Sequence, residues 1–343
     1  MDTFSRDIIT IGASSGGLEA LLAIVRGLPK DLPASLFVVV HVAAHAPSRL
    51  PAILTHAGSL PAMHARDNEA FEPGRIYVAP PDAHLLLSRG RLRVIRGPKE
   101  NNHRPAIDPL FRSAARVYGR RVIGIVLSGA LDDGAAGLFA IKSRGGVAIV
   151  QEPQDALFPD MPLNARTVTP VDYSAPKDEI AKLIINLADT TDSTNKPGAA
   201  MANDDNLEQE TDVAAMENSA IDDEDRPGTP SVYGCPDCGG TLWELQDDEW
   251  LRFRCRVGHA YSAEGLLNSQ TTAMESALWN AFRALHENAA LARRVAKRAR
   301  DNNQIAVAEK LEQRSRQGEE EAELIRSLLL IGQPKSDASP RMD

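Results

Sequence analysis

From Asp7 to about residue 190 the sequence alternates short β-rich runs with amphipathic ones, and nothing else in the chain restricts its fold as strongly. Ile8–Ile11 leads into a predicted helix at Leu18–Gly27, Leu36–His41 into one at Ser48–His56, and Val122–Leu127 into one at Gly134–Ser143. A further helix is expected at Ala106–Tyr118, a strand at Val147–Gln151 and a last helix from about Pro176 to Ala188. Repeated βα units require crossover connections, so the sheet is expected to be mainly parallel and covered on both faces. Arg75–Ile95 reads as antiparallel strands, a β-hairpin inserted into this doubly wound α/β frame.

In such sheets ligands sit outside the carboxyl ends of the strands, so the residues that follow each strand are the candidates for chemistry. Gly12-Ala13-Ser14-Ser15-Gly16 follows the first strand and spells G-x-S-x-G ahead of a helix start. Unpaired N–H groups at that helix start could hold an oxyanion beside the Ser14 hydroxyl. The same glycines could instead cradle a phosphate or let helix pack on strand. No P-loop lysine follows, and no ribose-binding acid stands about 20 residues on. His41 ends the second strand, and Asp132-Asp133 follows Val122–Leu127. A satisfied strand-end histidine and an N-cap of the Gly134–Ser143 helix are the alternatives for His41 and Asp133. A hydroxyl, an imidazole and a carboxylate on one sheet edge are the parts of a Ser–His–Asp hydrolase, whose geometry is independent of chain order. The order Ser, His, Asp also separates this chain from the α/β-hydrolase fold, in which the acid precedes the histidine.

The longest apolar run, Leu36–Val42, is interrupted by His41 and is too short to span a bilayer, so no membrane insertion is expected. The chain passes from Met1-Asp2 towards its first strand without a basic-then-apolar leader, and its three cysteines are an odd number; both suggest a reduced, cytoplasmic setting. The net charge of −9 is local: Asp192–Arg226 holds eleven Asp and Glu against Lys196 and Arg226. The remainder is near neutral, which argues against a nucleic-acid-binding surface.

Ile11–Gly17, Gly74–Pro80, His103–Asp108, Leu127-Ser128-Gly129, Asp133–Gly137 and Met161-Pro162 occur in order across residues 7–190. In these motifs the chain resembles the catalytic domain of the CheB protein-glutamate methylesterases. The resemblance implies Ser14 as nucleophile, His41 as general base and Asp133 as the aspartate that orients it. It also implies an oxyanion and substrate side built from Ser15, Gly16, Ala130 and Met161, with no cofactor for catalysis. The expected substrates are methylated chemoreceptors or related signalling proteins, with a methyltransferase as functional counterpart and glutamine deamidation as a second activity. A non-catalytic scaffold that binds receptor tails through the C-terminal module is the alternative. Two positions depart from the family: Ser15 stands where Thr is common, and Ala130 where Met is common. With only Met1–Arg6 ahead of the first strand, the receiver domain of regulated members is expected to be absent.

The catalytic domain is assigned to residues 1–190. Residues 191–230 are acidic and poor in aromatics, and are expected to form a disordered linker. In 231–262, Cys235-x2-Cys238-x16-Cys255-x3-His259 has zinc-ribbon spacing and uses every cysteine of the chain. A structural zinc with these four ligands is expected, over a small core of Trp243, Trp250, Phe253 and Tyr261; reduced cysteines in a small metal-free fold are the alternative. Residues 263–332 carry apolar and small residues at helical spacing (Leu278, Phe282, Leu285, Ala289, Ala292, Ala296; then Leu311, Ser315, Gly318, Ala322, Ile325, Leu329) on either side of Asp301-Asn302-Asn303. That pattern predicts a helical hairpin, followed by a disordered tail at 333–343. Arg104, Asp108 and the histidines at 45, 56, 64 and 84 are read as capping, ion-pairing, loop or surface residues.

Overall fold

The structure, a computed structural model, describes residues 5–42, 47–190, 204–217, 228–247 and 250–331. They fall into two compact units, residues 1–266 and 267–343.

In the first unit, the expected parallel sheet has seven strands. They are β1 (Ile8–Ala13), β2 (Ser35–Val40), β3 (Ala62–His64), β4 (Ile76–Val78), β7 (Val122–Val126), β8 (Val147–Gln151) and β9 (Tyr173–Ala175), in the order β3-β4-β2-β1-β7-β8-β9. Each adjacent pair is parallel. All six residues of β1 are buried, as a central strand with helices on both faces requires. Ile9, Ile11 and Ala13 enter one core with α1 (Gly17–Gly27), α2 (Leu50–Ala57) and α6 (Lys177–Asp189). On the opposite face lies a second core with α3 (Ile107–Tyr118), α4 (Ala135–Ser143) and α5 (Asp160–Val168).

The Arg75–Ile95 expectation divides. β5 (His84–Ser88) and β6 (Arg91–Ile95) form the antiparallel hairpin, but β4 joins the main sheet parallel to β2. Ile76-Tyr77-Val78 is buried throughout, which suits an internal strand, and Pro80-Pro81 separates it from the hairpin. His84 is not a surface residue. It is wholly buried, its Nδ1 accepts from Ala106 N (3.2 Å) and its Nε2 donates to Pro98 O (2.7 Å), so one neutral imidazole ties together both ends of the 98–106 loop.

The region assigned to a disordered linker contains a helix, α7 (Asp204–Ala214); residues 191–203 and 218–227 lie outside the described residues, as does the tail expected at 333–343. The cysteine-containing module forms an antiparallel sheet of β10 (Thr229–Gly234), β11 (Thr241–Asp247), β12 (Trp250–Cys255) and β13 (Ala260–Ser262). Its core is Cys235, Leu242, Phe253, Cys255, Tyr261 and Leu266. Trp250 belongs elsewhere: it packs against the second core of the parallel-sheet domain, and Trp243 is only half-buried. The strand alternation explains this, because Trp243 and Trp250 point away from the face that carries Leu242 and Phe253.

The module is seated on the parallel-sheet domain through buried charges. Glu210 of α7 accepts from Arg252 Nη2 (2.7 Å) and Arg254 Nη2 (2.9 Å) of β12. Glu100 accepts from Arg112 Nη2 of α3 (2.6 and 2.7 Å) and from Arg254 Nη1 (3.2 Å). Sequence charge alone made α7 look solvated, yet arginines some forty residues later neutralise its buried carboxylate.

In the second unit, α8 (Ala263–Asp301, which begins in the first) and α9 (Ile305–Ile331) form the predicted hairpin, with Asn303 in a left-handed turn (φ 61°). Ala289, Ala292, Ala296, Ser315, Ala322 and Leu329 of the expected stripe are buried, and Ser315 Oγ donates to Ala289 O (2.9 Å) across the pair.

Burial raises the pKa of Glu210 and of Glu100, but the surrounding arginines outweigh it and hold both carboxyls below their ordinary value of 4.5. A depressed carboxyl contributes stability that is complete above its unfolded pKa and is lost as pH falls through the folded one. Urea unfolding is therefore expected to show stability falling below about pH 4.5. Glu210→Gln leaves arginines buried without their counter-charge and should cost about 3–5 kcal/mol at pH 7, with a flatter acid limb. A variant within about 0.5 kcal/mol of wild type would show that the cluster does not seat the module.

Candidate active site

Three strand ends build the site. After β1 the chain turns at Ser14–Gly16, where Gly16 is left-handed (φ 72°) and a Cβ would meet Leu157 Cβ at 2.8 Å and Ser128 Oγ at 2.9 Å. Ser14 N donates to Ser128 O (3.0 Å) and Gly17 N to Ser14 O (3.0 Å), stitching the turn to the end of β7. These bonds do not use the N–H groups of Ser15 or Gly16, which stand at the start of α1. Ser128 Oγ donates to Ser15 O (2.8 Å) and accepts from Phe158 N (2.9 Å), so it joins the serine turn to the loop before α5.

His41 follows β2, and its N–H donates to Ala13 O (3.2 Å). Its Nδ1 lies 3.0 Å from Ser14 Oγ and its Nε2 lies 2.7 Å from Asp133 Oδ2. A nitrogen facing a carboxylate carries the proton, so Nε2 donates to Asp133 and Nδ1 keeps a lone pair towards the serine hydroxyl. The imidazole and carboxylate side chains are only 6% and 2% exposed, a dry environment in which such bonds are strong.

Asp133 does not cap the helix that follows it. Its Oδ2 also accepts from Ile107 N (2.7 Å), and its Oδ1 from Asp108 N (3.2 Å) and Asn101 Nδ2 (3.0 Å), so the carboxylate caps α3. Asp108 returns the arrangement: on α3, it accepts from Gly137 N of α4 (2.7 Å). Each helix start is thus capped by an aspartate from the other's side. Burial raises the pKa of Asp133, but the bonds from His41 and Ile107 and the charge of His41 outweigh it, so it remains ionised well below the usual carboxylate range. Burial and then the neighbouring Asp133 charge push Asp108 upwards. The carboxylate that His41 meets is thus the ionised one, Asp133.

His103 stacks on His41 with ring centroids 3.6 Å apart and planes 13° apart. Burial, then the charge of His41, lowers its pKa to about 4, so near neutrality it contributes a flat uncharged face. Of the remaining sequence-predicted residues, Ser15 is exposed and Ala130 half-buried beside left-handed Leu131 (φ 63°). Met161 lies in α5 and is fully buried. A Cβ on Gly129 would collide with Met161 Sδ and stand 2.7 Å from Ser14 Cβ, so Met161 backs the serine through that glycine. Sequence reasoning assigned no role to Asn101, His103 or Ser128. His103 and Ser128 lay inside motifs it quoted, whereas Asn101 carried no local signal beyond an Asn-Asn pair.

The second chemical cluster is Cys235, Cys238, Cys255 and His259, whose ligand atoms all lie within 4.8 Å of one another. Cys238 Sγ is 3.7 Å from Cys255 Sγ, too far for a disulfide of about 2.05 Å. His259 Nδ1 is 3.7 Å from Cys235 Sγ and 3.5 Å from Cys255 Sγ. A tetrahedral ion with bonds of about 2.3 Å to sulfur and about 2.05 Å to nitrogen gives edges of about 3.8 and 3.6 Å, which these three separations match. Left-handed Gly239 and Gly258 shape the two knuckles.

A serine, histidine and aspartate in hydrogen-bonded sequence at the carboxyl edge of a doubly wound sheet is the arrangement of a serine hydrolase. Residues 9–184 match the CheB methylesterase family, just over half of the chain. A protein of Leptospira interrogans named "Putative protein-glutamate methylesterase/protein-glutamine glutaminase" is 37% identical over 182 residues, 53% of this chain and 94% of that protein. "Protein-glutamate methylesterase/protein-glutamine glutaminase 2" of Anaeromyxobacter dehalogenans is 39% identical over 181 residues, and there the match spans about half of the relative's length (53%). The crystal structure of the Thermotoga maritima CheB methylesterase catalytic domain superposes with a TM-score of 0.51 at 32% identity, covering 54% of this chain and all of that one. The chain belongs to the CheB methylesterase family. Among the described residues, no helix is long and apolar enough to cross a membrane.

Because Gly129 separates Ser14 from Met161, Gly129→Ala is expected to displace the serine while leaving the fold in place. A misplacement of about 1 Å costs roughly 100-fold in rate. The check is the labelling rate of Ser14 by a fluorophosphonate, read beside the melting temperature; unchanged labelling would mean that the serine tolerates the extra methyl.

Proposed function

We propose that this chain is a protein-glutamate methylesterase that hydrolyses γ-methyl esters on chemoreceptor-type signalling proteins and deamidates glutamine by the same route. The observation that carries the reading is the Ser14–His41–Asp133 relay, at 3.0 and 2.7 Å, inside a chain of this family.

Ser14 Oγ attacks the ester carbonyl carbon as its proton passes to His41 Nδ1, while Nε2–H stays on Asp133 and balances the imidazolium. The carbonyl oxygen becomes an oxyanion that the N–H groups of Ser15 and Gly16 can hold, an effect of about 3 kcal/mol per donor. Collapse breaks the C–O bond to the methyl group's oxygen, and methanol leaves with the proton from Nδ1. Water then gives a proton to Nδ1 and attacks the acyl-serine, and Ser14 leaves with that proton to release free glutamate. With a glutamine side chain, ammonia leaves in place of methanol. Substrates would be methylated receptor segments on the cytoplasmic side, with a methyltransferase as the opposing activity.

A fluorophosphonate is expected to label wild type and not Ser14→Ala, and methanol release from methylated receptors should vanish with the same substitution. Asp133→Asn removes the charge and the tautomer control, for a loss of about 10⁴-fold in kcat. Partner binding without labelling or methanol release would favour the scaffold reading.

The four-residue cluster is proposed to bind a structural zinc through Cys235, Cys238, Cys255 and His259. Four protein ligands complete the tetrahedron, so the ion has no open position and its contribution is to hold the module folded. Metal analysis should return about one zinc per chain, and Cys255→Ser should lose it and lower the melting temperature. A metal-free protein of unchanged melting temperature would overturn the assignment.

A further inference from the structure

The relay's orienting carboxylate is also reached from the C-terminal module, through a residue that no part of the proposed reaction uses. Asn101 Nδ2 donates to both Asp133 Oδ1 (3.0 Å) and Asp108 Oδ2 (2.9 Å). Its Oδ1 accepts from Ser262 N (3.3 Å) of β13, and its backbone N donates to Ala260 O (2.8 Å) of the same strand. Ala260 N donates in turn to Lys99 O (3.3 Å), so residues 99–101 run along β13 as an added edge. Every polar group of the amide is thereby assigned, and the flipped amide would turn its oxygen towards two carboxyl groups.

The backbone there is left-handed, a conformation asparagine tolerates better than other non-glycine residues. Asn101 and Asn102 have φ 48° and 70°, two consecutive left-handed residues whose loop is bonded on both sides. On one side the neighbour is the module. Glu100, immediately before, is clamped between Arg112 of α3 and Arg254 of β12. Arg254 is adjacent to Cys255 and Ala260 to His259, so β12 ends on one cluster residue and β13 begins directly after another.

We infer that Asn101 is a positioning residue for the Asp133–His41 pair, set in place by the docked C-terminal module, which thereby controls hydrolysis from behind the relay. The inference rests on the reading of Ser14, His41 and Asp133 as the hydrolytic machinery. Its physical content is an N–H that fixes the carboxylate plane and shares its charge. The titratable and charged groups around this point are His41, His84, Lys99, Glu100, His103, Asp108, Arg112, Asp132 and Asp133. With that donor gone, more of the Asp133 charge acts on the imidazole bonded to it, and the acid limb of the reaction's pH profile reads that change.

The test uses the full chain. Asn101→Gly keeps the left-handed backbone without strain and deletes only the amide; Asn101→Asp keeps the shape but replaces the donor by a third carboxylate. Both are expected to lower kcat about tenfold or more with KM little changed, and Asn101→Gly should shift the acid limb of the kcat/KM profile to higher pH. Arg254→Met, which loosens the module, should reduce kcat in wild type but add little in the Asn101→Gly background, because coupled residues are not additive. Circular dichroism confirms that each variant folds. A labelled, active wild type with an unshifted Asn101→Gly profile would overturn the positioning role alone. Additive effects of the two substitutions would overturn the module's control through Asn101. A wild type that a fluorophosphonate cannot label would overturn the hydrolytic reading itself.

Discussion

The carboxylate of Asp133 is the point on which the site and the surrounding fold converge. Four donors from three separate stretches of chain meet its two oxygens: His41 Nε2, the N–H groups of Ile107 and Asp108, and Asn101 Nδ2. A buried carboxylate without such partners would take up a proton, and a neutral acid cannot balance an imidazolium. The first turn of α3 supplies two of the four and adds the positive end of the helix dipole. The interaction that ionises the residue proposed to orient the base is thus also the one that ends the 98–106 loop and starts the helix.

Asp108 shows what makes this arrangement stable. It lies one residue into α3 and accepts from Gly137 of α4, as Asp133 accepts from α3. The two helices cover the same face of the sheet, and their starts are interlocked by exchanged caps rather than by each capping itself. Two ionised carboxylates this close would repel; burial keeps Asp108 inclined to hold its proton, and the donors keep Asp133 from doing so. Both aspartates are buried, so the division of roles arises from what each faces: Asp133 meets the bond and charge of His41, whereas Asp108 faces the Asp133 charge.

How much of this was legible in the sequence follows from the same distinction. Ser14, His41 and Asp133 could be read because strand ends in a parallel sheet share an edge, and the period of the βα pattern marks where each strand stops. The pattern also placed β1, β2, β7 and β8 to within a residue or two. It missed β3, β9 and α5, elements of three to nine residues whose register comes from neighbours rather than from their own periodicity. The cap exchanged between α3 and α4 was invisible, since an aspartate before a helix start carries the same signal whether it caps that helix or another. Asn101 and the helix at 204–214 lay further out of reach. The meaning of Asn101 depends on Ser262, and that of Glu210 on Arg252 and Arg254, at separations no local window spans.

The buried Glu100–Arg112–Arg254–Glu210 cluster bears on why the module sits where it does. Taking such charges out of water costs several kcal/mol per ion, and their attraction returns this only in good geometry, so ion pairs add less stability than apolar packing of equal volume would. What they add is registry. An apolar face can slide, but a carboxylate held by two guanidinium forks tolerates little displacement before a charge is left unpaired. Arg254 bridges Glu100 and Glu210, so a shift of β12 by one residue would abandon both at once and carry Ala260 and Ser262 away from the loop that holds Asn101. The module is therefore fixed to the α/β domain in one register, and that register is the one that completes the donor set of Asp133.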